Sequence, residues 1–353
     1  MNKPFIINGR FLSQKMTGVH RYSYQMCCSL KQLGANFTIV APRKILPQYD
    51  LDGFDIERCG RFNSHLWEQL ELPLYLYRRH KGKKLVSLMG LGSILYNKTI
   101  CTVHDLSYIE NPAWFSKSYY FFYKIMTPIT VHRALMVVTV SNFSRQELID
   151  ILKVPSEKIK VIYNAATIFP TSKTSISKSE KQYILAVSSL DPRKNLRRLI
   201  EAFALLPQKD YKLYIIGVGN RVFALPNLET VNRENIIFPG YVDDVQLGQY
   251  YSGATLFVAP SLYEGFGLPT LEAMTNSCPV VASDIAPHHE VCGDAAIYFD
   301  PENIYDMASK ISDLLADRSK QLDMISKGIE RVKNFSWNMS ARQLLQIIDQ
   351  KNL

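Results

Sequence analysis

Ser261-Leu262-Tyr263-Glu264-Gly265-Phe266-Gly267-Leu268-Pro269-Thr270-Leu271-Glu272 lies between the apolar run Leu256 to Pro260 and a helical pattern from Thr270 to Asn276. That order reads as a strand, a glycine-bearing loop and a helix start with proline near its first position. Gly265 and Gly267 let a ligand approach the backbone closely, and the helix N-terminus beyond them favours an anion. Glu264 opens the loop, and Glu272, placed here in the first turn of the helix, closes the segment. With seven residues between them, the two carboxylates suit hydroxyls at opposite ends of a polyhydroxylated ligand. On helix-start chemistry alone the plain alternative stands level: Glu272 complements the helix dipole and Glu264 is solvated.

The same strand-loop-helix order extends outward in both directions. Upstream come strand Tyr183 to Val187, helix Leu196 to Leu205, strand Lys212 to Ile216, strand Ile236 to Phe238, helix Asp244 to Ser252 and strand Leu256 to Val258. The first half begins with strand Phe5 to Ile7, helix Val19 to Leu33 stopped by Gly34, and strand Phe37 to Val40, followed by β-rich runs at Lys84 to Leu88 and Ile100 to Val103. Alternation of this kind implies parallel sheets in an α/β protein. Residues 169–182 are Ser/Thr/Lys-rich and aperiodic, so they are assigned as a linker between a domain of residues 1–168 and one beginning at 183. Two doubly wound units joined in this way imply a cleft between the carboxyl ends of their strands.

Composition limits the alternatives. The 353 residues are 47% hydrophobic and 21% charged, values of an ordinary globular chain long enough for two domains. No apolar run approaches the roughly 18 residues of a membrane span. The N-terminus lacks the long apolar core of a signal peptide, which leads to an expected cytoplasmic location. The six cysteines form no C-x-x-C pair or zinc-type cluster and read as reduced thiols. Charge is asymmetric: residues 1–170 hold 22 basic and 11 acidic side chains, against 19 and 21 in the remainder. The first half therefore faces an anionic partner such as a membrane surface, a phosphorylated substrate or a nucleic acid.

A second segment, Ser188-Ser189-Leu190-Asp191-Pro192-Arg193-Lys194-Asn195-Leu196, ends a strand with two adjacent cations at a helix threshold. Together with the Glu264 to Glu272 segment it resembles the E-x7-E signature and diphosphate clamp of retaining glycosyltransferases with the GT-B fold, in the large bacterial family that includes O-antigen and lipopolysaccharide mannosyltransferases. The resemblance covers nearly the whole chain. It implies two Rossmann-like domains facing a central cleft, a C-terminal nucleotide-sugar domain of residues 183–334, and a terminal helix, 335–353, that crosses back to the N-terminal acceptor domain.

The resemblance also distributes roles. Glu264 contacts the donor sugar, and Gly265, Phe266, Gly267 and Leu268 hold sugar and phosphate through backbone amides. Glu272 binds the ribose diol, where two hydroxyl donors meet two carboxylate oxygens. Arg193 and Lys194 stabilise the leaving diphosphate without a metal, since cations at the site meet the charge as it develops. Gly18, in Thr17-Gly18-Val19-His20-Arg21-Tyr22, passes its amide to the same diphosphate. His104, in Val103-His104-Asp105, lies near the donor sugar, with Asp105 fixing its tautomer or shaping the acceptor side. Gly217, with Val218 and Gly219, and the Gly240-Tyr241-Val242 segment read the nucleotide base. No cofactor is implied, because the nucleotide sugar is a substrate. The T-G-V-x-R-Y pattern tilts the donor toward GDP-mannose. The acidic pairs Asp50-Leu51-Asp52 and Asp243-Asp244 are set aside as metal sites because neither accompanies the diphosphate residues.

Trp67 to Tyr77 is rich in Leu, Tyr and Trp and runs into Arg78-Arg79-His80-Lys81-Gly82-Lys83-Lys84, a combination that suits peripheral contact with an anionic membrane and a lipid-linked glycan acceptor. Three other readings fit parts of the pattern: a UDP-sugar-dependent transferase, epimerase or phosphorylase of the same fold; a nucleic-acid-binding protein, disfavoured because no helix-turn-helix, RRM or zinc pattern is present; and a non-catalytic nucleotide-sugar sensor. Oligomeric state is not legible in the sequence.

Overall fold

The computed structural model describes residues 3–167, 182–217 and 234–350. The chain forms two compact units, one of residues 1–164 with 336–353 and the other of residues 165–335. The sequence reading placed this boundary at 168. Four further residues, 165–168, group with the second unit, and the linker of 169–182 lies outside the described residues except for Gln182.

Seven strands build the first unit: β1 (Phe5–Asn8), β2 (Phe37–Pro42), β3 (Ile56–Cys59), β4 (Leu85–Ser87), β5 (Thr99–Val103), β6 (Met136–Thr139) and β7 (Ile159–Val161). All pair in parallel, in the order β3-β2-β1-β4-β5-β6-β7. The second unit has β8 (Tyr183–Val187), β9 (Lys212–Ile216), β10 (Ile236–Gly240), β11 (Leu256–Ala259), β12 (Val280–Ser283) and β13 (Ala296–Phe299), also parallel, in the order β10-β9-β8-β11-β12-β13. Each sheet is doubly wound, as the alternation implied. Central strands such as β11 and β12 are buried along their whole length, because helices cover both faces of a parallel sheet and leave no face for polar residues. The edge strands β3 and β10 are only partly covered.

The order reverses between β1 and β4 in the first unit and between β8 and β11 in the second. Connections leave such a point in opposite directions and open a crevice at the carboxyl ends of the strands, so both reversals mark where a ligand fits. Helix Leu196–Leu205 follows β8 and buries Leu196, Leu199 and Ile200 against Ile311 and Leu314 of helix Ile304–Ala316.

Helix Trp337–Asp349 belongs to the first unit. Its Trp337 ring meets Tyr22 of helix Gly18–Gln32 edge-on at 5.7 Å, and Ser340 Oγ donates to the Tyr163 carbonyl at 2.6 Å. Lys84 Nζ donates to the carbonyls of Ile348 (2.7 Å) and Gln350 (3.1 Å), closing the last turn. This is a correction to the basic cluster of residues 78–84. Lys84 is a C-terminal cap, and His80 is buried against the Glu57 carboxylate at 2.7 Å, so neither belongs to a solvated cationic face.

Candidate active site

In the second unit, β8 and β11 end side by side and deliver the two motif segments to one place. Pro192–Lys194 forms a 3-10 turn capped by Asp191, whose carboxylate accepts from the Arg193 amide (3.1 Å) and from Arg193 Nε (2.9 Å). Asn195 follows in the left-handed conformation and ties the turn down by donating to the carbonyls of Pro260 (3.0 Å) and Pro301 (2.8 Å). The Leu262 amide donates to the Arg193 carbonyl at 2.8 Å, which joins the turn to the loop after β11. Across that junction Lys194 Nζ donates to Glu264 Oε1 at 2.5 Å, and Ser261 Oγ donates to the same oxygen at 2.8 Å. Burial by itself would raise the Glu264 carboxyl, but Lys194 and then Arg193 outweigh it and hold the group at about 2. The result is a permanently ionised carboxylate with its cation beside it, shielded from water.

Gly267 ends the loop in the left-handed region, φ +93°, and caps helix Leu268–Thr275. The helix begins two residues before the expected Thr270, with Pro269 at its second position, so Glu272 falls in the second turn rather than the first. Glu272 is buried and accepts from the Tyr251 hydroxyl at 3.0 Å. Beneath Gly267 lies His288, fully buried, whose Nδ1–H donates to the Ser283 carbonyl at 3.0 Å. Burial pushes its pKa down, so the ring is neutral and Nε2 is an acceptor. A small cavity is lined by Ser188, Ser261, Glu264, Gly267, Thr270 and His288. At the far end of the sheet, Gly217 is left-handed (φ +95°), its amide donates to the Gly240 carbonyl at 3.0 Å, and Tyr241 projects from the end of edge strand β10 with 84% of its surface exposed. Val242 is half-buried; Val218 and Gly219 lie outside the described residues.

In the first unit, His104 and Asp105 follow β5. His104 Nε2–H donates to the Leu88 carbonyl at 2.9 Å, and burial lowers the pKa of the ring, leaving Nδ1 as the acceptor. The tautomer is thus set by a backbone carbonyl, where the sequence reading considered Asp105. Asp105 Oδ1 accepts from the Ser107 amide (3.1 Å) and hydroxyl (2.6 Å). Thr17 and Val19, on either side of Gly18, border the same cavity as His104 and Asp105, and the face of Gly18 is open. His20, not singled out in the sequence, donates from Nε2 to Gln14 Oε1 (3.1 Å) and accepts from the Thr17 hydroxyl at Nδ1 (2.6 Å); burial, then Arg10, brings it to about 4.

Sequence reasoning also passed over Arg10, Glu68 and His288. Arg10 had a usable signal, since Gly9-Arg10 directly follows β1 at the sheet reversal. Glu68 and His288 had none, because each sits inside a helical pattern where only packing reveals its surroundings. Asp243, from the acidic pair set aside earlier, caps helix Asp244–Gly253 through the Gln246 amide at 2.8 Å.

Comparison with known proteins defines the class. Residues 154–331 match the family described as Glycosyl transferases group 1, and residues 16–167 match Glycosyltransferase Family 4. The chain is 32% identical over 263 residues to O-antigen chain mannosyltransferase B of Escherichia coli, covering 70% of this chain and 69% of that protein. It is 27% identical to O-antigen chain mannosyltransferase RfbU of Salmonella typhimurium over 94% of both chains. Its fold is similar to that of Anabaena HepE, solved in complex with UDP-glucose, with a TM-score of 0.72 at 18% identity over 99% of both chains. The protein belongs to the group 1 glycosyl transferases and has the GT-B fold. It is a hexosyltransferase of polysaccharide biosynthesis.

Proposed function

We propose that the chain transfers a hexose, with retention of anomeric configuration and without a metal, from a nucleotide sugar to a lipid-linked surface polysaccharide. The best-matched donor is GDP-mannose. The observation that carries this reading is the Lys194–Glu264 pair, 2.5 Å apart, beneath a glycine-bearing loop at the β8/β11 reversal. Glu264 offers a fixed carboxylate to sugar hydroxyls. Lys194 and Arg193 face the charge that builds on the leaving diphosphate, which is where preorganised cations lower a barrier most. Glu272 receives the ribose diol, and Tyr241 offers an exposed ring at the base end. The leaving diphosphate oxygen takes the acceptor proton on the same face of the sugar. Relatives named as O-antigen mannosyltransferases support mannose and an O-antigen-type acceptor, and HepE, solved with UDP-glucose, keeps a UDP-sugar as the competing donor.

A thermal-shift panel of GDP-, UDP-, ADP- and dTDP-sugars on the full chain tests the donor, and the anomeric coupling of the product tests retention, with and without EDTA. The expected pattern is the largest shift with GDP-mannose, an α-linked product and indifference to EDTA. Glu264→Gln and Lys194→Ala each lower turnover at least 100-fold while thermal stability is kept. Near-wild-type turnover in either variant overturns the assignment.

The acceptor belongs to the first unit. Trp67, Leu72 and Leu76 are buried there, whereas Leu66, Leu70, Leu74 and Tyr77 form an exposed apolar stripe, and Phe121, Ile125 and Ile129 form another on helix Lys117–Arg133. The helices bearing them are joined near both ends, through the His65–Phe122 ring contact at 4.6 Å and through Tyr77 and Arg133, which reach the carbonyls of Leu95 and Ile94. Apolar stripes beside Arg78 and Arg79 suit the surface of an anionic bilayer, with the protein acting at its cytoplasmic face. No helix among the described residues is long and apolar enough to cross a membrane.

A further inference from the structure

At the opposite ends of the strands that carry the donor loops, the second unit holds a cavity of about 820 Å³, near the top of the range of roughly 300–1,000 Å³ usual for ligand pockets. Thr255 and Pro279, which precede β11 and β12, line it, whereas Ser261 and Glu264, beyond β11, line the small donor cavity. Thr255 to Ser261 is roughly 20 Å of extended chain, so the two are separate sites.

One wall of the cavity is aromatic. Tyr183 opens β8, Tyr214 lies on β9 and Tyr250 on helix Asp244–Gly253. Their rings form a series, with centroids 4.7 Å apart from Tyr183 to Tyr214 and 5.8 Å apart from Tyr214 to Tyr250. Tyr183 is the fixed member: it is buried, and its hydroxyl donates to the Tyr250 carbonyl at 2.7 Å. Gly253 makes room for that bond, since a Cβ there would fall 2.8 Å from the hydroxyl oxygen. Tyr214 and Tyr250 are half-buried, and their hydroxyls are neither enclosed nor hydrogen-bonded to any described residue. The hydroxyls of Thr255 and Ser277 are open in the same way. Ser277 holds its place at φ +56°, after a helix end where glycine is usual, so a hydroxyl is kept at the rim against the backbone preference.

The polarity of this cavity is the reverse of the donor site. Helices Asp244–Gly253, Leu268–Thr275 and Ile304–Ala316 all end at it, through Gly253, Asn276 and Ala316. Helix carboxyl ends carry partial negative charge and present carbonyl acceptors. Helix Arg318–Val332 begins there, but its amino end is taken by the Asp317 carboxylate, which accepts from the Lys320 amide at 2.9 Å. Arg318 is the charged side chain among the described lining residues; it is exposed and donates to Gln321 Oε1 at 2.9 Å. The donor loops lie at helix amino ends, which attract phosphate, whereas three carboxyl ends repel it and suit hydroxyls that donate hydrogen bonds.

We propose that this cavity is a second saccharide site, apart from the donor loops, that holds a short run of uncharged pyranose units of the kind a polysaccharide glycosyltransferase lengthens. Tyrosine rings meet the apolar C–H faces of such units, open hydroxyls exchange hydrogen bonds with theirs, and the helix carboxyl ends turn away phosphorylated or acidic sugars.

Hydrogen exchange on the full chain tests this, with α-linked mannotriose and maltotriose as neutral probes, trigalacturonate as the acidic one, and GDP and UDP titrated separately. The expected result is slower exchange in residues 250–255 and 276–278 with a neutral trisaccharide, at least five-fold weaker binding of trigalacturonate, and no displacement of the trisaccharide by either nucleotide. Tyr214→Ala/Tyr250→Ala lowers trisaccharide affinity at least five-fold and leaves nucleotide affinity within two-fold. Should that variant not fold, Ala316→Trp, at an exposed position on the rim, fills the mouth without removing a ring and has the same effect. No protection of either segment by a neutral trisaccharide, equal affinity for trigalacturonate, displacement by a nucleotide, or unchanged affinity in Ala316→Trp overturns the proposal. Failure of the wild-type chain to bind any nucleotide sinks the donor reading instead, and leaves this cavity to be judged on the sugars.

Discussion

Gly267 concentrates the demands of the donor site in one residue. Its φ of +93° is costly for any side chain, and a Cβ placed there falls 2.9 Å from His288 Cδ2. His288 is locked by Ser283 and fully buried, so it has little room to yield. Gly267→Ala should therefore lower stability by about 1–3 kcal/mol and cost turnover beyond that, because the loop that carries Glu264 shifts with it. An unchanged urea midpoint together with unchanged turnover would show that the loop is more tolerant than its geometry implies. The need for glycine here was legible in the sequence as a loop feature. The partner that enforces it, His288, was not, since 21 residues and a whole strand separate the two.

Helix Trp337–Asp349 shows how an element is held by residues distant in sequence. Its last carbonyls accept from Lys84, which lies just before β4. A cation at a helix C-terminus is worth roughly 0.3–1 kcal/mol, and two charge-assisted bonds add to it. Lys84→Met should lower the melting temperature by about 2–4 °C and raise amide hydrogen exchange in the final turn of that helix, with donor affinity unchanged. Exchange that rises equally along the entire helix would argue against a capping role. The sequence reading drew Lys84 into a basic surface run, which was reasonable for a run of seven residues with five cations. Position alone does not tell a solvated lysine from one that closes a helix 264 residues away. Strands β3, β6, β7, β12 and β13 were likewise not assigned. Each is at most four residues long, too short for periodicity to separate strand from buried helix.

For the whole molecule, the uneven charge becomes a statement about partners. The exposed stripes Leu66, Leu70, Leu74, Tyr77 and Phe121, Ile125, Ile129 lie on the unit that carries the positive excess. Co-sedimentation with phosphatidylglycerol-containing vesicles should be strong at low salt and fall as salt is raised, and neutral vesicles should bind several-fold less. Leu70→Asn/Leu74→Asn and Arg78→Glu/Arg79→Glu should each weaken binding at least three-fold while turnover on a water-soluble acceptor persists. Lys84 is excluded from the charge reversal because its loss acts through the terminal helix. Binding that ignores lipid charge, or survives both double variants, removes the membrane from the account.

The order of strands and helices, the two parallel sheets and the segments Arg193-Lys194 and Glu264 to Glu272 were all readable from the chain. They depend on local periodicity and on glycine, proline and charge at fixed spacing, which a sequence displays directly. Folding alone decided that Lys194 and Glu264, 70 residues apart, meet at 2.5 Å, that Leu88 sets the His104 tautomer, and that Glu68 pairs with Arg10. The Lys194–Glu264 pairing arises where the second sheet reverses strand order and brings together the ends of β8 and β11, strands that are not consecutive in the chain. The energies of these pairings come from burial and distance, which have no counterpart in a linear string of residues.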